Sequence, residues 1–209
     1  MPAFIKKFSE INFTDLDSVG MKNTSLGNMF NRVSADEVVA NGFAITSDAF
    51  RYFLQYNSIE SLLKELISNL DRKTFQNLKE TGWWARRMIM SAGMPVNLSK
   101  EIITAYKELC TKFPFRVAVR SSPIAEELSN ENFVAQHETY LNITGEAELI
   151  VAIKKCFASL YSDRAIRYRE ENRIAHDKVV MSVGIQKMVR SKLANSCTFN
   201  SYENVIAIK

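Results

Sequence analysis

A chain of 209 residues, 46% hydrophobic and 24% charged, allows one large domain or two small ones and can bury a substantial core. Its 27 basic against 23 acidic residues leave a net charge of +4, and the longest basic runs are pairs such as Lys6-Lys7 and Arg86-Arg87, so a polybasic nucleic-acid face is not expected.

In chain order, "KNTSLGNMFNRV" reads as a loop running into a short helix. "SDAFRYFLQY" predicts a second helix, with Ser47 or Asp48 as N-cap. "SIESLLKELISNLD" is strongly periodic, placing Ile59, Leu62, Leu63, Leu66, Ile67 and Leu70 on one face. Thr74 to Met90 and Ser99 to Phe113 read as two more amphipathic helices, parted by Gly93-Met94-Pro95. The pattern then changes. "RVAVR" and "ETYLNI" read as strands, and Glu146 to Asn172 as one long helix with Leu149, Ile153, Phe157 and Leu160 on a stripe. Val179, Met181, Val183 and Ile185 alternate, so "KVVMSVGIQKMV" predicts a strand, and "NVIAIK" another. A helix-rich part at about 1–113 followed by a β-containing part at about 114–209 points to an α+β chain.

The three cysteines, Cys110, Cys156 and Cys197, form no CxxC pair or Cys/His cluster, so no disulfide framework or zinc site is expected, and Cys110 and Cys156 read as core fillers. "MPAFIKKFSEINF" lacks the apolar run of a signal peptide, and no stretch approaches the roughly 20 apolar residues of a bilayer span. The expected location is the cytoplasm, with no membrane partner.

Several residues have the chemistry to hold a ligand. Gly20 and Gly27 bracket Lys22, Asn23, Thr24 and Ser25. A loop offering N–H groups, a lysine and hydroxyls can hold phosphate, although GxxxxGK[ST] is absent and a helix-capping loop with a solvated lysine explains the same residues. Arg120 follows "VAV", and a guanidinium fork at a strand end suits phosphate or carboxylate. Surface pairing with Glu126, Glu127 or Glu138 is the alternative, and it would contribute little. Glu126, Glu127, Glu131 and Glu138 read as solvated loop charges. His137 and His176 have no triad partner at a telling spacing, and His176 reads as a turn residue.

Taken in order, "VGMKNTSLGNM", "NGFAITSDAFRYFL", "TGWWARRMI", "VAVRSSPIAEELSNENFVAQHETYLNI", "KKCFASLYSDRAIRYR" and "GIQKMVRSKLANS" carry a further signal. From about Phe13 to Ser196 the chain resembles the N-terminal nucleotide-binding domain of the phosphoenolpyruvate synthase and pyruvate phosphate dikinase family, which also includes rifampin phosphotransferase. The resemblance implies an ATP-grasp-like fold with ATP between two α+β lobes. Lys22 and Arg120 would bind ATP phosphates. Thr139 and the backbone at Ala135 would lie in the segment that closes over them. Gln186 with the Met188-Val189 backbone would form the hinge that receives adenine. The enzyme of that family uses ATP, Mg²⁺, pyruvate and water to give phosphoenolpyruvate, AMP and phosphate.

Departures accompany the match. The family usually has glycine where Met21 and Ala135 stand, "VPPGF" where this chain has "VANGF", and a glycine in the segment that reads "SCTFN" here. The family's metal-binding acid, phosphorylatable histidine and pyruvate-binding barrel lie beyond the counterpart of Lys209. The expectation is therefore a single, partial domain over 1–209 with an incomplete second lobe, holding ATP or AMP but no catalytic or metal-binding residue of its own. A non-catalytic relic serving regulation or interaction is the alternative. Strand partners missing around "NVIAIK" would leave an edge open to homodimerisation.

Overall fold

A computed structural model describes residues 3–32, 39–109, 115–124 and 138–188, together with the backbone of two strands at 197–200 and 205–208. Seven helices are described: α1 (Leu16–Arg32), α2 (Ser47–Tyr56), α3 (Glu60–Ser68), α4 (Leu78–Ser91), α5 (Val96–Leu109), α6 (Glu146–Ser159) and α7 (Asp163–Glu171). Five strands, β1 (Ile5–Lys7), β2 (Gly42–Ile45), β3 (Val117–Ile124), β4 (Thr139–Ile143) and β5 (Val180–Lys187), form one sheet in the order β1-β2-β5-β3-β4. Every neighbouring pair is antiparallel. Strands β6 (Cys197–Asn200) and β7 (Val205–Ile208) pair as a separate antiparallel ribbon. The chain is thus α+β, and its helix-rich first part also supplies β1 and β2.

Directly opposed residues of an antiparallel pair share a face. Phe43, Ile185 and Val119 therefore lie on one side of the sheet, and Ala44, Gly184 and Arg120 on the other. The first side is apolar and joins the main core with α2 to α7, where Phe157 packs edge-on against Phe50 at a centroid distance of 5.0 Å. The second side carries small residues, so α1 and the Phe8 segment can come close. Ala44 packs there with Phe8, Ile11, Val19 and Leu26. Among the described residues no helix is long and apolar enough to cross a membrane.

Several elements differ from their sequence-based expectation for identifiable reasons. Helix α2 is capped one residue earlier than expected, by Thr46, whose hydroxyl accepts from the Ala49 N–H at 3.4 Å. The expected long helix is two, because the chain turns at 160–162 and Ser162 caps α7, its hydroxyl accepting from the Ala165 N–H at 3.2 Å. Helix α4 begins at Leu78 rather than Thr74, since Asp71 Oδ1 accepts from the N–H groups of Lys73 and Thr74 and holds them in a turn. Leu62, expected on the buried face of α3, is exposed. Strands β1 and β2 carry too little alternation to announce themselves; β2 is buried on both faces and reads as a continuous apolar run. Cys156 is a core filler as expected, whereas Cys110 lies outside the described residues.

His176 does sit in a turn, His176–Lys178, but its ring is built into a buried polar network. The Arg169 Nε–H donates to His176 Nδ1 at 2.8 Å, which leaves the ring proton on Nε2 to donate to Glu170 Oε1 at 2.9 Å. Arg72 Nε donates to the other oxygen of Glu170 at 3.0 Å, and Arg169 Nη2 donates to the Leu160 carbonyl at 2.6 Å. Burial, aided by the Arg169 charge, pushes the imidazole down to about 4, with Glu170 opposing. Its folded value lies below the ordinary 6.5, so the unfolded chain binds the proton first as pH falls. Stability contributed by the neutral ring is therefore lost between about pH 6.5 and pH 4. Relative to a His176→Gln variant, the parent chain is expected to lose about 2 kcal/mol between pH 7 and pH 5, measured by urea unfolding at each pH. Parallel pH curves for the two proteins would contradict this.

Candidate functional site

The site assembles where α1 crosses the sheet. Gly20 interrupts α1 with φ 74° and ψ 164°, so a fresh helix starts at the next residue. Only glycine suits this turn, because a Cβ there would lie 2.5 Å from Ser122 Oγ. Lys22 is thereby placed in the first turn of a helix, where backbone N–H groups lack intrahelical partners, rather than in a loop as the sequence suggested. Gly27, expected to bracket that loop, is mid-helix and lets α1 approach Ile11: a Cβ would sit 2.5 Å from Ile11 Cβ.

Asn23 fixes the height of α1 above the sheet. Its Nδ2 donates to the Val19 carbonyl at 2.9 Å and to Ser182 Oγ at 3.0 Å, and Ser182 in turn donates to the Ile45 carbonyl at 2.7 Å. The Asn23 amide occupies the place a side chain at Gly184 would take, since a Cβ there would fall 2.2 Å from Asn23 Oδ1. Gly184 pairs with Arg120 across β5 and β3, and Arg120 pairs with Thr139 across β3 and β4. Lys22, Arg120 and Thr139 are thus drawn together by one helix and two adjacent strands.

Arg120 was expected at a strand end, but β3 runs on to Ile124 because its ladder with β5 continues through Ser121↔Val183 to Ile124↔Val180. Ser121 and Ser122 are buried, and both the N–H and the hydroxyl of Ser121 donate to the Glu138 carbonyl at 3.1 Å, tying β3 to the start of β4. Burial, with the Arg120 guanidinium adding to it, pushes Lys22 down to about 8. Burial also lowers Arg120. Two partly buried cations thus lie close enough for one to lower the other. Around them burial raises the Cys156 thiol and the Tyr140 phenol, each further raised by the Glu138 charge.

Gln186 lies two residues beyond Gly184 on the same face, about 7 Å along β5. Its side chain is buried and donates through Nε2 to the Ala40 carbonyl at 3.3 Å. The Met188 N–H donates to the Arg116 carbonyl at 2.8 Å, and the Met188 sulfur accepts from the Asn142 N–H at 3.1 Å. Ala135 and Val189 lie outside the described residues, as do Glu126, Glu127, Glu131 and His137.

Residues 16–202 match the family model for the pyruvate phosphate dikinase AMP/ATP-binding domain. The chain belongs to that family. It is 41% identical over 215 residues to a phosphoenolpyruvate synthase of Synechocystis sp., covering 99% of this chain and 26% of that protein. Similar likeness is found to the phosphoenolpyruvate synthases of Helicobacter pylori, 42% identical over 90% of this chain and 24% of that protein, and of Escherichia coli, 39% identical over 90% and 24%. The chain therefore spans about a quarter of the length of these curated relatives.

Within this AMP/ATP-binding domain, the Met21 departure costs less than its position suggests. The left-handed residue of the turn is Gly20, Met21 has no positive φ, and its side chain is 59% exposed. Among the described residues no group of His, Cys, Asp and Glu could hold a metal ion. Sequence reasoning missed Ser182 and Gly184, each of which meets Asn23 across 159 or more residues of chain. The one available signal was an isolated glycine inside the alternating "VVMSVGIQ" run, which marks a close approach.

Proposed function

We propose that this chain is the ATP-binding portion of a phosphoenolpyruvate synthase-type phosphotransferase, within an ATP-grasp-like domain. The phosphates lie against Lys22, Arg120 and Thr139, and the adenine against Gln186 and the Met188-Val189 segment. The observation that carries this reading is the nearness of Lys22, in the first turn of a helix, to Arg120, which is paired in turn with Thr139 on the next strand. A lysine point charge and an arginine fork neutralise phosphate oxygens in complementary ways, and such stabilisation dominates phosphoryl transfer. At the hinge, the Met188 N–H is already engaged with Arg116, so adenine contacts fall to the Met188 carbonyl and to Val189. Ala135, in the segment before Thr139, belongs to the cover over the phosphates. In such an enzyme Mg²⁺ would accompany the phosphates of the nucleotide. In the whole enzyme, ATP, pyruvate and water would yield phosphoenolpyruvate, AMP and phosphate.

Titration calorimetry with Mg-ATP tests this reading. Lys22 is about half protonated at pH 8, and phosphate favours its charged form, so binding should take up about 0.5 proton per nucleotide. Repeating the titration in two buffers of different ionisation enthalpy measures that uptake. A Lys22→Met variant should bind more weakly and take up none. No binding heat from the parent chain would overturn the proposal.

A further inference from the structure

Lys22 differs from the described lysines that carry a partner. Lys6, Lys7, Lys64 and Lys107 pair with Asp15, Glu108, Asp177 and Glu146, and a carboxylate favours the ammonium form. Where α2, α3 and the start of β5 enclose a pocket of about 310 Å³, its cations are taken: Arg51 by Asp48, Lys64 by Asp177 and Arg72 by Glu170. Lys154 is lowered by burial alone, and its Nζ donates to the Met90 carbonyl at 2.6 Å.

The company of Lys22 is a second cation. The turn at Gly20 places Lys22 in the first turn of a helix. Asn23, its neighbour, packs over Gly184, and Gly184 is the cross-strand partner of Arg120. The Arg120 guanidinium from β3 and the Cys156 thiol from α6 both act on the Lys22 amine. That thiol is pushed up by burial and so stays protonated, and Glu138, just before β4, acts on it. Burial first, and the guanidinium second, disfavour the Lys22 ammonium. Near pH 8 about half of Lys22 is free amine, whereas an ordinary lysine is almost wholly ammonium. A free lysine amine is a nucleophile. The product that best suits a neighbouring guanidinium is an anion.

We propose that Lys22 takes up carbon dioxide as a carbamate, held as an anion by Arg120. The nitrogen lone pair attacks the carbon of carbon dioxide and an N–C bond forms. One C=O π pair moves onto oxygen, and one N–H proton leaves to solvent. No oxidant, reductant or further reactant is consumed. Two cations that repel become a carboxylate-like group beside a guanidinium fork, the planar match that arginine makes best. Carbon dioxide is small and uncharged, so partial burial does not bar its approach. A carbamate at Lys22 would also reverse the charge that a phosphate meets, and make nucleotide binding sensitive to carbon dioxide. That consequence rests on the phosphate reading above; the carbamate itself rests on the two side chains.

The test equilibrates the 209-residue chain with ¹³C-bicarbonate at pH 8, traps carbamates with triethyloxonium ion and locates them by tandem mass spectrometry. The chain's α-amino group is the internal reference, since its ordinary pKa of about 7.7–8.0 leaves a similar fraction unprotonated. Lys22 is expected to carry roughly fivefold more trapped label than that group, the excess being the work of Arg120. In Arg120→Ala the excess should vanish, and Arg120→Lys, which keeps the charge without the fork, should fall between. Saturating Mg-ATP should clear the label from Lys22 and leave the α-amino group labelled. Label at Lys22 no greater than at the α-amino group, or undiminished in both Arg120 variants, would overturn the proposal. Mg-ATP that binds by calorimetry yet leaves the label in place would overturn its link to the nucleotide. A chain that binds no Mg-ATP would overturn the phosphate reading instead, and the comparison with the α-amino group would still decide the carbamate.

Discussion

Replacing Arg120 with alanine is expected to weaken Mg-ATP binding by at least about 30-fold, while the unfolding midpoint moves little. Truncating one partner of a partly desolvated charge pair costs about 2–5 kcal/mol, and the lower figure corresponds to that factor. Arg120 sits between Gly184 and Thr139, so its backbone is held by two ladders rather than by a loop. Arg120→Lys should recover the charge but not the bidentate geometry and fall between the two. The variant also has a second signature. The Arg120 charge helps to hold Lys22 down at about 8, burial being the larger cause. Without it Lys22 is protonated more fully before ligand arrives, and proton uptake on binding at pH 8 shrinks. Calorimetry in two buffers reads both effects. Unchanged affinity in Arg120→Ala would remove Arg120 from the phosphate site.

Gly184→Ala is expected to cost about 3 kcal/mol of stability, although it adds a single methyl group. The new Cβ would fall 2.2 Å from Asn23 Oδ1, and that amide cannot swing away without giving up its bonds to Val19 and Ser182. Overpacking of about 1–3 kcal/mol and two lost hydrogen bonds of about 1 kcal/mol each compete, and the chain takes the cheaper mixture. For a chain of this size the midpoint should drop by roughly 10 °C. Mg-ATP affinity should fall too, because lifting α1 carries Lys22 away from Arg120. The decisive comparison is the double variant Asn23→Ala/Gly184→Ala. It should be destabilised by clearly less than the sum of the two single variants, since removing the amide makes room for the methyl. Strict additivity would show that Asn23 and Gly184 do not share one space.

Both predictions turn on residues of unequal legibility. Arg120 and Lys22 could be read in sequence, because charge and hydroxyl-rich surroundings are local properties. Gly184 and Asn23 could not be read as partners. Their meaning lies in a contact between chain segments far apart, and neither residue's neighbours carry a trace of the other. The same division holds for the elements. Helices α2, α3, α5 and α6 are visible as apolar stripes. Strand β2 is hidden because burial on both faces erases alternation, and the break between α6 and α7 is hidden because apolar residues continue through it. The N-cap is Thr46 rather than Ser47 or Asp48, since capping is decided by which side chain meets a free N–H, a matter of one residue's backbone angle.

By itself, then, the sequence determined the α+β class, most helices, the family and the two cations of the candidate site. These follow from periodicity, charge and motif order, which are properties of neighbouring residues. The tertiary structure alone decided that Lys22 begins a helix instead of lying in a loop, that Arg120 stands mid-strand, and that His176 is locked into a buried ring of charges. It also created the pocket between α2, α3 and β5. Each depends on distant segments excluding one another's side chains or satisfying one another's polar groups, and close packing settles such matters only once the whole sheet is in place.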